Sequence, residues 1–242
     1  LGTNTTGASN VGIGTNALLN STTASYNVAV GEDALRVNST GTQNAAVGAY
    51  ALDVNTTASG NTALGYYGLS ANTTGADNTS VGNQALAANT TGASNVAVGS
   101  YALDANTTAA NNVAVGYAAL TANTTGYSNV AVGMNALDAN TTANHNIAIG
   151  VSSLGTNTTG NTNVAIGDSA LFANTADGNV AIGYQSMVTN TSGTLNVAVG
   201  SGSLGANTTG GSNVAIGYGS LTANTTGGTN TAVGRRALED NT

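Results

Sequence analysis

Residues 112 to 128 read Asn112-Val-Ala-Val-Gly-Tyr-Ala-Ala-Leu-Thr-Ala-Asn-Thr-Thr-Gly-Tyr-Ser128, and the same pattern runs through the whole chain. Its opening Asn recurs at Asn10, Asn27, Asn44, Asn61, Asn78, Asn95, Asn112, Asn129, Asn146, Asn163, Asn179, Asn196, Asn213 and Asn230, every interval being 17 except the 16 between Asn163 and Asn179. Self-similarity at a fixed period is the mark of a repeat architecture, in which each unit buries its apolar face only against its neighbours. Residues 1 to 9 are the tail of an earlier unit and the last unit stops after 13 positions, which suggests continuation in a longer product or completion by a neighbour.

Comparing units sorts the positions by role. Position 1 is Asn and position 5 is Gly in all fourteen units; position 4 is always Val, Ile or Leu; position 9 is Leu in thirteen, with Met187 the exception. Alternating β-branched residues before a Gly predict a strand, and nothing repeats at 3.6 over a helical length. Positions 6 to 11 read as a second short strand, and the Asn-Thr-Thr-Gly at 12 to 15 as a turn, with Gly or Asn able to take positive φ. A lone rung offers two Val-sized and one Leu-sized side chain, far too little to order seventeen backbones. Stacking is therefore required. The predicted fold is an all-β parallel β-solenoid, or β-roll, of fourteen 17-residue rungs in a single repeat domain over 1–242, and at about 4.8 Å per rung it would run roughly 65 Å. Positions 2 and 4 are expected in the core. Positions 1, 3 and 5 would then face outward as a stripe of Asn, Ala and Gly suited to an identical chain about a rotation axis. Otherwise Asn and Gly would form the corners of a monomeric coil, with Ala fitting between them.

At NVAIGDSALFA, residues 163 to 173, and its counterparts, the chain resembles the head repeats of YadA-type trimeric autotransporter adhesins, built on a similar Asn-x-Val-Ala-Ile-Gly core. It is also similar to repeats of phage tail fibres and other virion or cell-surface fibres. The resemblance covers nearly the whole chain. It implies a left-handed parallel β-roll, assembled as a homotrimer, that displays or binds.

Composition narrows the function classes. Only 5% of the residues are charged, against about a quarter in an ordinary domain, and Pro, Cys, Trp and Lys are absent. The surface must rely on Asn, Thr, Ser and Gly. Ten carboxylates against Arg36, Arg235 and Arg236 give a net charge of −7, so there is no basic stripe for nucleic acid or anionic lipid. No apolar run approaches the roughly 20 residues of a membrane helix, and the first residues do not read as a signal peptide, so no membrane insertion is expected of this segment. The absence of Cys removes disulfides and thiolate metal sites and leaves the compartment open.

Candidate chemistry is sparse. His145, the one histidine, sits at the variable position 17, where a solvated turn residue is the simpler reading than a general base. Gly at position 5 follows a strand without opening a helix, so a phosphate loop is not indicated. Asp53, Asp104, Asp138 and Glu239 share position 10 in scattered units, but the Gly-rich pattern of calcium β-rolls is missing, so no metal or cofactor is expected. The Asn-Thr-Thr turns at Asn4, Asn55, Asn72, Asn89, Asn106, Asn123, Asn140, Asn157, Asn207 and Asn224 also read as glycosylation acceptors, although turn formation and an Asn ladder explain them without sugar.

Two surfaces remain as binding candidates. Thr5, Thr6, Thr56, Thr57, Thr73, Thr74, Thr90 and Thr91 would stack into rows of hydroxyls and methyls, the arrangement of an ice-binding or glycan-bearing face. All nine tyrosines fall at positions 6, 7, 16 or 17, which change from unit to unit; Tyr66, Tyr67, Tyr101, Tyr117, Tyr184 and Tyr218 are the candidates for a host-surface glycan or protein. The expectation is a non-enzymatic fibre or adhesin segment on a cell or virion surface, self-associating as a homotrimer or, alternatively, as an extracellular filament. An ice-binding solenoid is the further alternative.

Overall fold

The computed structural model describes residues 2–241, in short strands, turns, bends and irregular backbone, with no helix among them. The chain divides into two units, residues 1–125 and 126–242. The first carries β1 (Val11–Ile13), β2 (Val28–Val30), β3 (Ala45–Val47), β4 (Thr62–Leu64), β5 (Thr79–Val81), β6 (Val96–Val98) and β7 (Val113–Val115). The second carries β8 (Val130–Val132), β9 (Ile147–Ile149), β10 (Val164–Ile166), β11 (Val180–Ile182), β12 (Val197–Val199), β13 (Val214–Ile216) and β14 (Thr231–Val233). Within each unit every strand pairs in parallel with the next in sequence, and identical repeat positions meet: Val96 lies opposite Val113 and Ala97 opposite Ala114. Each unit is thus a parallel β-solenoid, one three-residue strand per rung.

The second predicted strand does not form. Positions 6 to 11 are continuous turn. Positions 7 and 9 both adopt left-handed backbone, as at Gln84 (φ 56°) and Leu86 (φ 52°), and such residues cannot continue a strand. The Leu of position 9 pays about 1–2 kcal/mol for that conformation. Its side chain is 0% exposed at Leu86, Leu103, Leu120 and most equivalents, and burying a Leu contributes roughly 1.5–3 kcal/mol, enough to hold the turn shut. Positive φ also falls at position 17, as in Ser94 (58°), rather than at the Gly of position 15.

The strand faces are opposite to expectation. Ala at position 3 is buried in rung after rung (Ala29, Ala46, Ala97, Ala114, Ala148 and Ala198 at 0%), whereas positions 2 and 4 are half-buried or exposed, including Val28 at 38%, Leu64 at 47% and Ile149 at 38%. The expected placement of positions 2 and 4 in the core and of Asn, Ala and Gly in an outward stripe is corrected, while the Leu of position 9 does lie inside. A coil of only seventeen residues encloses little volume. Leu from position 9 and the small residues of positions 3 and 8 fill it, and the β-branched pair is left outside.

The remaining interior is polar and is paired along two ladders, with Ser21 Oγ and Asn224 Oδ1 buried and left without a partner. At position 1, the Asn78 amide nitrogen and Nδ2 both donate to Asn61 Oδ1 (2.9 and 3.2 Å), and Nδ2 also donates to the Gly92 carbonyl (2.9 Å). At position 12, Asn72 Nδ2 donates to Asn55 Oδ1 (3.0 Å) and to the Gly75 carbonyl (2.9 Å), while Asn89 Nδ2 donates in turn to Asn72 Oδ1 (2.9 Å). Buried amides persist only when so satisfied, and stacked identical amides satisfy one another at the strand repeat. Gly at position 5 is fixed by space as well as conformation: at Gly82, φ is +133° and a Cβ would lie 2.6 Å from the Gly99 carbonyl oxygen.

The short rung loses its residue from the Asn-Thr-Thr-Gly turn. Asn174 Nδ2 donates to the carbonyl of Ala176, two residues on rather than three (2.8 Å), and Asn174 Oδ1 still accepts from Asn190 Nδ2 (2.8 Å). Strand register is untouched, Val164 pairing with Val180.

Candidate functional site

Three outward rows are candidates. The first is the ridge of positions 2 and 4. Pleating sends both side chains to the face away from the coil interior. Parallel in-register pairing then places like residues next to one another, Val30 beside Val47 in the first unit and Val164 and Ile166 beside Ile147 and Ile149 in the second. Isolated apolar surface residues need no explanation, but contiguous apolar rows do. The sequence signal for this arrangement is the recurrent Ala, first read as an outward stripe: an almost invariant small residue marks a tight interior, while Val, Ile, Thr and Ala interchange at position 2 because that side is loosely constrained.

The threonine rows differ from one another. Thr56, Thr73 and Thr90 are half-buried, and their hydroxyls donate to the carbonyl of the equivalent residue one rung on (Thr73, 3.1 Å; Thr90, 3.0 Å; Thr107, 3.0 Å). Thr5, although exposed, donates likewise to the Thr22 carbonyl (3.0 Å). Thr6, Thr57, Thr74 and Thr91 point to solvent. One Thr of each pair thus spends its hydroxyl on the turn, leaving a single exposed row. Asn55, Asn72, Asn89, Asn106, Asn123, Asn140, Asn157, Asn207 and Asn224 are all buried at 0%, so the folded coil has no room for a glycan on them; Asn4 is exposed.

The tyrosines gather by rung. Tyr50 stacks on Tyr67 (centroids 4.8 Å, 18° between planes), and Tyr66 meets Tyr67 edge-on at 4.5 Å. Tyr101 and Tyr117 meet edge-on at 6.0 Å, and Tyr127 meets His145 at 5.1 Å. Tyr66, Tyr117, Tyr184 and Tyr218 are about half exposed; Tyr67 and Tyr101 are half-buried. The carboxylates of Glu32 and Asp33 hold the Tyr50 phenol above its usual range, Glu32 most, and partial burial raises Tyr67. Tyr184 and Tyr218 stand apart from these contacts. They line a recess of about 270 Å³ with Gln185, Ser201, Gly202, Gly219, Thr222, Arg236 and Glu239.

Charge is confined to the turn side. Arg36 donates to Asp53 one rung on (Nε to Oδ1 2.7 Å, Nη2 to Oδ2 3.3 Å), which raises the guanidinium pKa further. Asp104 accepts from the Thr121 hydroxyl (2.7 Å). The carboxyl of Asp138 is pushed up, chiefly by burial. Among the described residues no three His, Asp or Glu side chains gather as metal ligands. Among the described residues no helix is long and apolar enough to cross a membrane.

No family model, curated protein or solved structure matches this chain.

Proposed function

We propose that this chain is a non-enzymatic structural segment of a surface fibre or adhesin, whose protomers associate side by side as a homotrimer of left-handed coils through the ridge of positions 2 and 4. The observation that carries the reading is the ridge itself, solvent-facing β-branched residues repeated at the rung spacing within each unit. An identical chain lying alongside in register meets the same residues at every rung, so a weak contact is multiplied by the number of rungs. Electrostatics favour the same surface. None of the thirteen charged residues occupies positions 1 to 5, so the net −7 is kept off the strand side and does not oppose association there. The variable Tyr-bearing turns are left to contact a host-surface glycan or protein, outside the cell or on a virion.

Light scattering on the purified chain tests the association. A mass of about 70 kDa, three times 23.3 kDa, is expected. Replacing Ile147→Glu together with Ile149→Glu, on one exposed stretch of ridge, is expected to shift the mass toward 23.3 kDa with an unchanged circular dichroism spectrum. A single-chain mass for the intact protein at micromolar concentration sinks the trimer, and open-ended polymers replace it with the filament.

A further inference from the structure

The recess between Tyr184 and Tyr218 differs from the other aromatic groups in one respect. In the first unit the neighbouring tyrosines occupy adjacent rungs and their rings touch, Tyr50 with Tyr67 and Tyr101 with Tyr117. Tyr184 and Tyr218 both hold position 6 but lie two rungs apart, roughly 9–10 Å along the sheet at the usual strand spacing. The rung between contributes Ser201 and Gly202, and a Cβ built on Gly202 would meet nothing within 4 Å. The gap is open space. Arg235, on the rung beyond, lies over the Tyr218 ring at 5.7 Å and backs it, leaving the side toward Gly202 unfilled.

From this arrangement we infer that the recess is a binding site for one neutral hexopyranose residue of a glycan. The inference rests on the reading of the variable turns as the contact surface, and it names what they contact. Two tyrosines at either side of a slot suit a saturated ring that turns its apolar C–H face to an aromatic. The volume, about 270 Å³, falls just below the roughly 300–1,000 Å³ of sites for drug-sized ligands and suits a single ring, with the open side free for the rest of a glycan. The floor and rim offer an amide at Gln185, hydroxyls at Ser201 and Thr222, and the Glu239 carboxylate, a mixture of donors and acceptors that matches sugar hydroxyls. Arg236 and Glu239 both line the recess and lie as an ion pair (Nε to Oε1 3.5 Å), so the lining carries no net charge, which suits a neutral sugar.

The test uses the full chain and saturation-transfer NMR with 10 mM methyl glycosides of glucose, galactose, mannose and N-acetylglucosamine as separate probes. At least one is expected to receive saturation at its ring protons. That transfer is expected to fall at least fivefold in Tyr218→Ala and in Gly202→Gln, and to persist in Tyr117→Ala, an exposed tyrosine that does not line this recess. Gln at position 202 plugs the slot without breaking the coil, because Gln84 and Gln185 occupy the same repeat position with the same left-handed backbone. No transfer to any probe from the intact chain overturns the inference, as does transfer of equal strength in Gly202→Gln when circular dichroism shows that variant folded. Transfer to N-acetyltryptophanamide alone, lost in Gly202→Gln, also overturns it and makes the recess a peptide site. None of these outcomes bears on the oligomer mass, so the two readings fail separately.

Discussion

The two sides of each short strand carry the same backbone and opposite obligations. On the inner side, Ala97 lies between Ser80 and Ala114 in a row with no exposed surface, and even the exceptional Ser80 is accommodated only because its hydroxyl donates to the Ala85 carbonyl at 2.8 Å. On the outer side, Val, Ile, Leu, Thr and Ala exchange freely. The difference shows that in a narrow coil hydrophobicity does not decide which residues go inside. Volume decides first, and the pairing of polar groups second.

Substitutions that separate the two sides sharpen that contrast. The largest effect is expected inside, at the amide ladder. Asn72→Ala removes the donor to Asn55 Oδ1 and the acceptor of Asn89 Nδ2, and is expected to cost about 2–4 kcal/mol in urea denaturation. A cost within error of zero would show that the ladder contributes nothing to stability. Next comes a matched pair on one strand. Ala97→Val overfills the interior and is expected to lower stability by about 1–3 kcal/mol, while Val98→Thr, pointing the other way, costs less than about 1 kcal/mol. Equal costs would break the comparison between the faces.

The smallest effect concerns the turn side. Burial raises the folded-state pKa of Asp138, so the folded chain binds more protons than the unfolded chain between the ordinary carboxylate value and the raised one. Stability attributable to this group is therefore highest in acid and is lost as pH rises through that window. Asp138→Asn is expected to raise the melting temperature at pH 7 and to lose its advantage below the ordinary carboxylate pKa; a larger advantage in acid would reverse the assignment.

The solenoid was legible because fourteen copies of one pattern average away local ambiguity, and the strand at positions 2 to 4 follows directly from its β-branched residues before Gly. The two strand faces are inverted relative to hydrophobicity because a seventeen-residue coil encloses room for Ala but not for Val, a limit that side-chain polarity does not carry. The turn over positions 6 to 11 was hidden for another reason. Its left-handed residues include Leu86, Leu103 and Tyr101, types with no preference for that conformation, and tertiary burial of the Leu imposes it. Asn, Asp and Gly at position 7, in Asn16, Asp33, Asn135, Gly202 and Gly219, carried the local signal. Among the candidate residues, pairing of Tyr66 with Tyr67 follows from adjacency. The slot between Tyr184 and Tyr218 required knowing that the residues between them leave space rather than fold over it.

The Asn174 turn has a consequence for how such a chain changes over generations. Because each rung in a unit meets only copies of itself, duplicating or deleting seventeen residues returns every survivor to an equivalent neighbourhood, and the number of rungs can drift with little effect on fold. A lesser deletion must be absorbed locally. The rung from Asn163 to Gly178 shows where: a one-residue loss beyond Asn174 leaves the strand pairing of Val164 and Val180 intact. Slippage of repeated DNA would then be filtered by the coil, which passes whole rungs and, in this turn, single residues.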